Sequence, residues 1–226
     1  MVLRRVESRR RCVGGSVEMR IIGGESRGRR IEAPDDDQTR PTSDLVREAI
    51  FNILGDRIVQ AQVFDLYAGS GALGLEALSR GAARAVFVEI QRRNVALIHR
   101  NVQSLGYEDV SKVSLADAHR FGRSFEPEPD RPCVVFLDPP YVEFLRHADK
   151  VSDLLEKLTA KCPSGSTLVV ESGKHWDDGL LPERDRWELR RYGGTVVAFR
   201  FIDREESCSE AVVERPAAET SEAVDE

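Results

Sequence analysis

The sequence predicts an α/β protein built on an open, mostly parallel sheet, and three observations carry that prediction. From residue 62 onward, apolar runs of strand length alternate with amphipathic helical stretches; a glycine-rich loop joins the first of these strands to its helix; and the chain closes with two strands joined by Gly193-Gly194. Strands that are apolar throughout and alternate with helices belong to βαβ units covered on both faces. A Gly-Gly pair between two strand-like runs makes an antiparallel hairpin.

The elements follow in order. Residues 19–33, MRIIGGESRGRRIEA, read as two short strands about a glycine turn, a basic hairpin carrying Arg20, Arg27, Arg29 and Arg30. In TRPTSDLVREAIFNIL, Thr42 or Ser43 can cap a helix, Asp44 suits its first turn, and Val46, Ala49, Ile50, Ile53 and Leu54 form an apolar stripe. Strand 62–66 leads to helix 73–80, strand 85–89 to helix 93–105, and strand 110–115 through a short linker to strand 133–137. Helix 144–160, strand 166–171 and the hairpin of strands 187–192 and 195–202 complete the series.

A chain of 226 residues, 41% of them apolar, can bury one sizeable core, so one globular domain with appendages is expected. Residues 1–18 read as a flexible leader, with Met19 an alternative start of translation. A leader of that composition could otherwise serve as an RNA-contacting arm or a transit peptide. Residues 19–55 form the basic hairpin and helix, 56–203 the α/β domain, and 204–226 a disordered acidic tail, poor in aromatics and periodicity. No apolar run is long enough to span a membrane or act as a signal peptide. The four cysteines, Cys12, Cys133, Cys162 and Cys208, lie far apart in sequence with no C-x-x-C pair, so neither a zinc knuckle nor a disulfide framework is supported, which fits a reducing cytoplasm.

The net charge of −6 conceals an asymmetry: residues 1–30 hold nine Arg against three Glu, while residues 203–226 hold nine acids against two Arg. A basic end can neutralise phosphates locally even when the average is acidic.

Residues 65–74, DLYAGSGALG, place Gly69, Gly71 and Gly74 in a G-x-G-x-x-G pattern between strand and helix, where a ligand can approach the backbone. NAD and S-adenosylmethionine could both use such a loop. Asp65, at the carboxyl end of its strand and directed at the crevice, favours the second. At ~4 Å a carboxylate repels a phosphate charge by roughly 4 kcal/mol at an effective dielectric of 20, and attracts an ammonium equally. Glu89, ending the next strand, can accept from two ribose hydroxyls of either cofactor. Asp117 could bond an adenine amine or serve as a turn or helix cap.

Residues 134–141, VVFLDPPY, run a buried strand into Asp138-Pro139-Pro140-Tyr141. Two prolines remove two N–H donors, so the corner offers acceptors only, suited to a donor such as an exocyclic amine. If Asp138 and the Pro139 carbonyl each take one N–H, the nitrogen lone pair turns towards a methyl donor, and Tyr141 offers a face for a planar base.

DLYAGSGALG followed by VFVE and LDPPY resembles the class I S-adenosylmethionine-dependent amino-methyltransferases, a Rossmann-like fold. RIIGGESRGRRIEAP with TRPTSDLVREAIFNIL resembles more narrowly the RsmD-type 16S rRNA guanine-N2 methyltransferases, over residues 20–202. The resemblance implies a seven-stranded sheet with a reversed last strand. It implies cofactor contacts through Asp65, Tyr67, Ala68, Gly69, Ser70, Gly71, Glu89, Asp117 and Ala118, with Thr42 at the cofactor's edge, and the target amine at Asp138, Pro139, Pro140 and Tyr141. It also implies RNA contacts from Arg20, Arg27, Arg29, Arg30 and Arg40, and a monomer acting on small-subunit RNA or an assembling 30S subunit. Two departures stand out: Gly24 and Glu25 replace the family's small-then-basic pair, and Gln91 stands where relatives carry an acid nearby.

The rivals are a DNA or other RNA amino-methyltransferase acting on adenine N6, an NAD-dependent dehydrogenase, and a binding-only assembly protein. The first needs a recognition region for which little chain remains, and the other two leave DPPY without a task. His99, His119, His147 and His175 show no metal-ligand spacing and read as structural or solvated. Asp35-Asp36-Asp37 reads as a solvated loop, so no metal is expected.

Overall fold

A computed structural model describes residues 18–34, 43–174 and 176–203. The expectations for the leader up to residue 17, for the tail from residue 204, and for Arg40, Thr42, the Asp35–Asp37 run, His175, Cys12 and Cys208 lie outside the described residues.

Strands β1 (Glu18–Arg20) and β2 (Arg30–Glu32) pair antiparallel, with Met19 opposite Ile31. The main sheet holds β3 (Gln62–Leu66), β4 (Arg84–Glu89), β5 (Ser111–Leu115), β6 (Cys133–Leu137), β7 (Ser166–Gly173), β8 (Glu188–Tyr192) and β9 (Thr195–Ile202), in the order β5-β4-β3-β6-β7-β9-β8. Neighbours run parallel from β5 to β7, whereas β9 is antiparallel to both β7 and β8. The order reverses between β3 and β6, and ligands of open α/β sheets bind at such a point, beyond the carboxyl ends of the strands.

Alternation along the strands divides the core. Val63, Phe87, Val134 and Phe136 face one layer with helices α1 (Asp44–Leu54), α2 (Ala72–Ser79) and α3 (Arg92–Leu105). Phe64, Leu66, Val135 and Leu137 face the other with α4 (Ala118–Arg123), α5 (Tyr141–Arg146) and α6 (Ala148–Lys161). Met19, Ile21, Ile31 and Ala33 of the hairpin join the first layer.

Three elements differ from the sequence expectation. The stretch after β5 contains α4, too short to show periodicity; its Gly122 lets α6 pack closely, since a Cβ there would lie 2.3 Å from a Leu154 methyl and force that side chain to shift. The helix expected over 144–160 starts at the proline corner and breaks at His147, whose φ of −135° and ψ of 33° are not helical. The apolar spacing from Phe144 to Val151 runs on through the break, so it gave no sign of it. In α1, Ser43 is the cap, its Oγ accepting from the Val46 N–H at 3.3 Å. The buried face there is Val46, Arg47, Ile50, Phe51 and Leu54. Packing of Phe51 against Phe136, with centroids 5.7 Å apart, centres the buried stripe on Phe51, and the expected Ala49 and Ile53 lie at its half-buried margin, Ile53 still packed on the core.

Candidate active site

The parallel register sets the site. Leu66 of β3 pairs with Leu137 of β6, so the loop opening at Tyr67 and the corner opening at Asp138 leave the same edge of the sheet on adjacent strands. Pro139 is buried, Asp138 half-buried and Pro140 exposed, with α5 starting directly at Tyr141.

The glycine loop is held by the protein's own carboxylates. Glu89 Oε2 accepts from the Gly69 N–H at 2.9 Å and Oε1 from the Gln91 N–H at 2.7 Å. The Gln91 bond comes from the backbone, so the departure at that side chain leaves this contact intact. A carboxylate has about four lone-pair sites, so Glu89 keeps capacity for two further donors such as ribose hydroxyls. Gly71 adopts φ +79° and caps α2, and a Cβ on Gly74 would lie 2.3 Å from the Phe87 ring, so both glycines are required by conformation or space. The Asn101 amide donates to the Ser70 carbonyl at 3.0 Å and to the Glu32 carbonyl at 2.9 Å, clamping the loop to β2.

Asp65 departs from its expected role. By strand alternation it faces the layer of Val63, beneath the start of α2, where it is 2% exposed and accepts from the Gly74 N–H at 2.9 Å. It is thus part of the loop's foundation and does not stand in the open crevice. Burial, offset in part by the Gly74 bond and reinforced by Glu89, pushes its carboxyl up to about 7. Burial thus disfavours its charged form, which weakens its discrimination between ammonium and phosphate relative to an exposed carboxylate.

Asp117 caps α4, its Oδ1 accepting from the Arg120 N–H at 2.8 Å, which is the helix-cap alternative of the sequence reading. Ala118 is buried at the first turn of α4. Tyr67 adopts φ +63°, and its hydroxyl lies 3.1 Å from His119 Nε2.

The hairpin arginines do not behave alike. Arg29 spends its guanidinium on the Ser104 and Leu105 carbonyls at the end of α3, where a helix leaves acceptors unsatisfied, so its expected RNA contact competes with a helix cap. Exposed Arg20 reaches Asp44 at 3.3 Å, and Arg27 and Arg30 are exposed. At Gly24, φ is +78° and a Cβ would lie 1.8 Å from the Ser79 carbonyl oxygen, so a glycine is required there by a close backbone approach; Glu25 in the basic place has no such explanation.

Sequence reasoning missed Glu76. Fully buried on α2, it accepts from the Ile22 and Gly23 N–H groups at 2.7 and 2.8 Å and from Arg80 Nε at 2.7 Å, fixing the hairpin turn to the glycine-loop helix. Its place inside the apolar run LGLEAL was the available signal, since a charge on a buried helix needs partners. A groove at the opposite, amino-terminal edge, lined by Arg57, Gln60, Arg131 and Gly165 among others, lies away from both loops. Among the described residues no cluster of His, Cys, Asp and Glu could hold a metal ion, and no helix is long and apolar enough to cross a membrane.

Comparison with known proteins agrees with this geometry. Ribosomal RNA small subunit methyltransferase D of Escherichia coli is 37% identical over 192 residues, 84% of this chain and 92% of its own length. A solved putative methyltransferase from Escherichia coli, yhhF, superimposes with a TM-score of 0.63 at 33% identity, covering 82% of this chain and 99% of its own. A solved T. thermophilus 16S rRNA N2 methyltransferase, in complex with AdoMet and guanosine, shares the fold at a TM-score of 0.63 and 21% identity, over 84% of this chain and half of its own. The sheet order, the reversed β9 and these neighbours make the fold the Rossmann-like class I methyltransferase fold. With the model of the family described as Conserved hypothetical protein 95 matching residues 19–200, the chain belongs to that family, the one that contains the RsmD-type methyltransferases.

Proposed function

We propose that the protein transfers a methyl group from S-adenosylmethionine to the exocyclic N2 amine of a guanine in small-subunit ribosomal RNA. The observation that carries this reading is the Leu66–Leu137 register, which sets the glycine loop beside the acceptor-only Asp138-Pro139-Pro140 corner. The donor set fits the cofactor: Glu89 has acceptor capacity left for a ribose, and Asp117 retains an oxygen beyond its cap bond for an adenine amine. S-adenosylmethionine supplies a methyl group bonded to a positively charged sulfur.

The protein's part is orientation and proton acceptance. Asp138 and the Pro139 carbonyl hold the two amine hydrogens and aim the lone pair, and in-line positioning of this kind contributes up to roughly 7 to 11 kcal/mol in the best cases. A hydrogen bond to a charged acceptor adds about 1.5 to 3 kcal/mol. The nitrogen becomes acidic once alkylated, and Asp138 or a water takes the proton. Double-stranded RNA hides its base edges, so the target is an unstacked or flipped guanine. Arg20, Arg27 and Arg30 supply phosphate contacts beside it. The protein works as a cytoplasmic monomer on the RNA or an assembling 30S subunit.

The test is Asp138→Ala. Cofactor affinity measured by calorimetry stays near wild type while methyl transfer to small-subunit RNA is lost; undiminished transfer would remove Asp138 from the reaction. Mass mapping of small-subunit RNA from cells lacking the protein identifies the nucleotide, and an unchanged methylation map counts against ribosomal RNA as substrate.

A further inference from the structure

Three side chains from three loops meet above the carboxyl ends of the strands. Tyr67 is the first residue after β3, His119 the second of α4 and Glu143 the third of α5. His119 Nε2 lies 3.1 Å from the Tyr67 hydroxyl and 3.4 Å from Glu143 Oε2, and the Tyr67 and His119 rings meet edge-on with centroids 6.2 Å apart. A carboxylate only accepts, so the Glu143 contact is attractive when Nε2 carries the proton, and that N–H is shared with the tyrosine oxygen. Tyr67 keeps its own proton, because burial, with the charges of Glu143 and Asp117, holds it above the ordinary tyrosine range.

Both ends of this chain need support. A helix of six residues falls well short of the roughly 12 needed to persist alone in water, so α5 is positioned by its anchors. Val142 and Leu145 are 42% and 66% exposed and anchor little. Phe144 packs on Trp176 with centroids 5.3 Å apart, and Glu143 is a second inward tether. At the far end, Tyr67 sits in a left-handed backbone conformation that is strained for a non-glycine residue.

We propose that His119 is a positioning residue, tying the glycine loop at Tyr67 to the target-side helix at Glu143 so that methyl donor and acceptor base share one frame. The inference rests on the reading of Asp138 as the amine site, since α5 begins one residue after Pro140.

Amide hydrogen exchange and kinetics test it together. His119→Ala should speed exchange over residues 141–147 by about tenfold while β3 and β6 stay protected. Turnover on RNA should fall about 10- to 100-fold, with S-adenosylmethionine affinity near wild type. Glu143→Gln, whose amide oxygen still accepts from Nε2–H, should behave like wild type where Glu143→Ala does not. Should His119→Ala fail to fold, Tyr67→Phe, which removes the hydroxyl that meets Nε2, tests the tie through the exchange of residues 141–147 alone, since Tyr67 also stands in the cofactor loop. Unchanged protection of 141–147, or Glu143→Gln as impaired as Glu143→Ala, overturns the proposal. A wild-type protein that methylates no RNA overturns the reading of Asp138 instead, and the exchange measurement then decides the tie by itself.

Discussion

The two halves of the candidate site are built differently. Around the glycine loop, Asp65, Glu76, Glu89 and Asn101 are nearly or fully buried, and each bonds a backbone group of the loop, its helix or the hairpin. Around the proline corner, a six-residue helix leaves Val142 and Leu145 in solvent and is tethered by Phe144 and Glu143. The contrast shows where each half gets its precision. A small cofactor of fixed shape suits a loop preorganised by internal hydrogen bonds, since little ordering remains to be done on binding. On the proposed reading the target base arrives with a large polymer, and a lightly anchored helix can settle against it.

The comparison breaks first at Glu76. Removing this carboxylate strands two N–H groups and Arg80, so Glu76→Ala should cost about 3 to 5 kcal/mol in chemical denaturation. A loss below about 1 kcal/mol would show that water replaces it and that the loop half is not so rigid.

Asp65 sharpens the picture through pH. Its folded value of about 7 lies above the ordinary 3.8, mainly because burial disfavours the charge. A raised carboxyl contributes stability that is fully present below pH 3.8 and is lost as the pH rises through 7. Asp65→Asn keeps an acceptor for the Gly74 N–H and has no charge to acquire. Its advantage over wild type should therefore grow between those pH values and then level off, reaching as much as about 4 kcal/mol. A difference in melting temperature that is flat from pH 4 to 8 would contradict the buried position.

The smallest effect belongs to the other half. Leu145→Ser should shift stability by less than about 0.5 kcal/mol, because its side chain is already in water; a larger loss would mean α5 is packed more firmly than its exposure indicates.

Much of the architecture was legible along the chain. Strands 62–66, 133–137 and 195–202 were read with their observed ends, because apolar runs bounded by turn residues leave few alternatives. Helix α4 was not legible, since six residues with a glycine carry no period, and its Gly122 is explained only by Leu154 of a distant helix. Arg29 looked like a free phosphate ligand because composition cannot show that the end of α3 lies beside it.

What the sequence determined by itself is local: the βα alternation, the glycines that let the loop turn, and a proline corner stripped of donors. The tertiary structure decided which side chain meets which. Asp65 went under the loop, Glu76 took the hairpin turn, and His119 came between residues 52 and 24 positions away. Such meetings depend on strand order and register, which arise from packing the whole core and leave no periodic trace in any single segment.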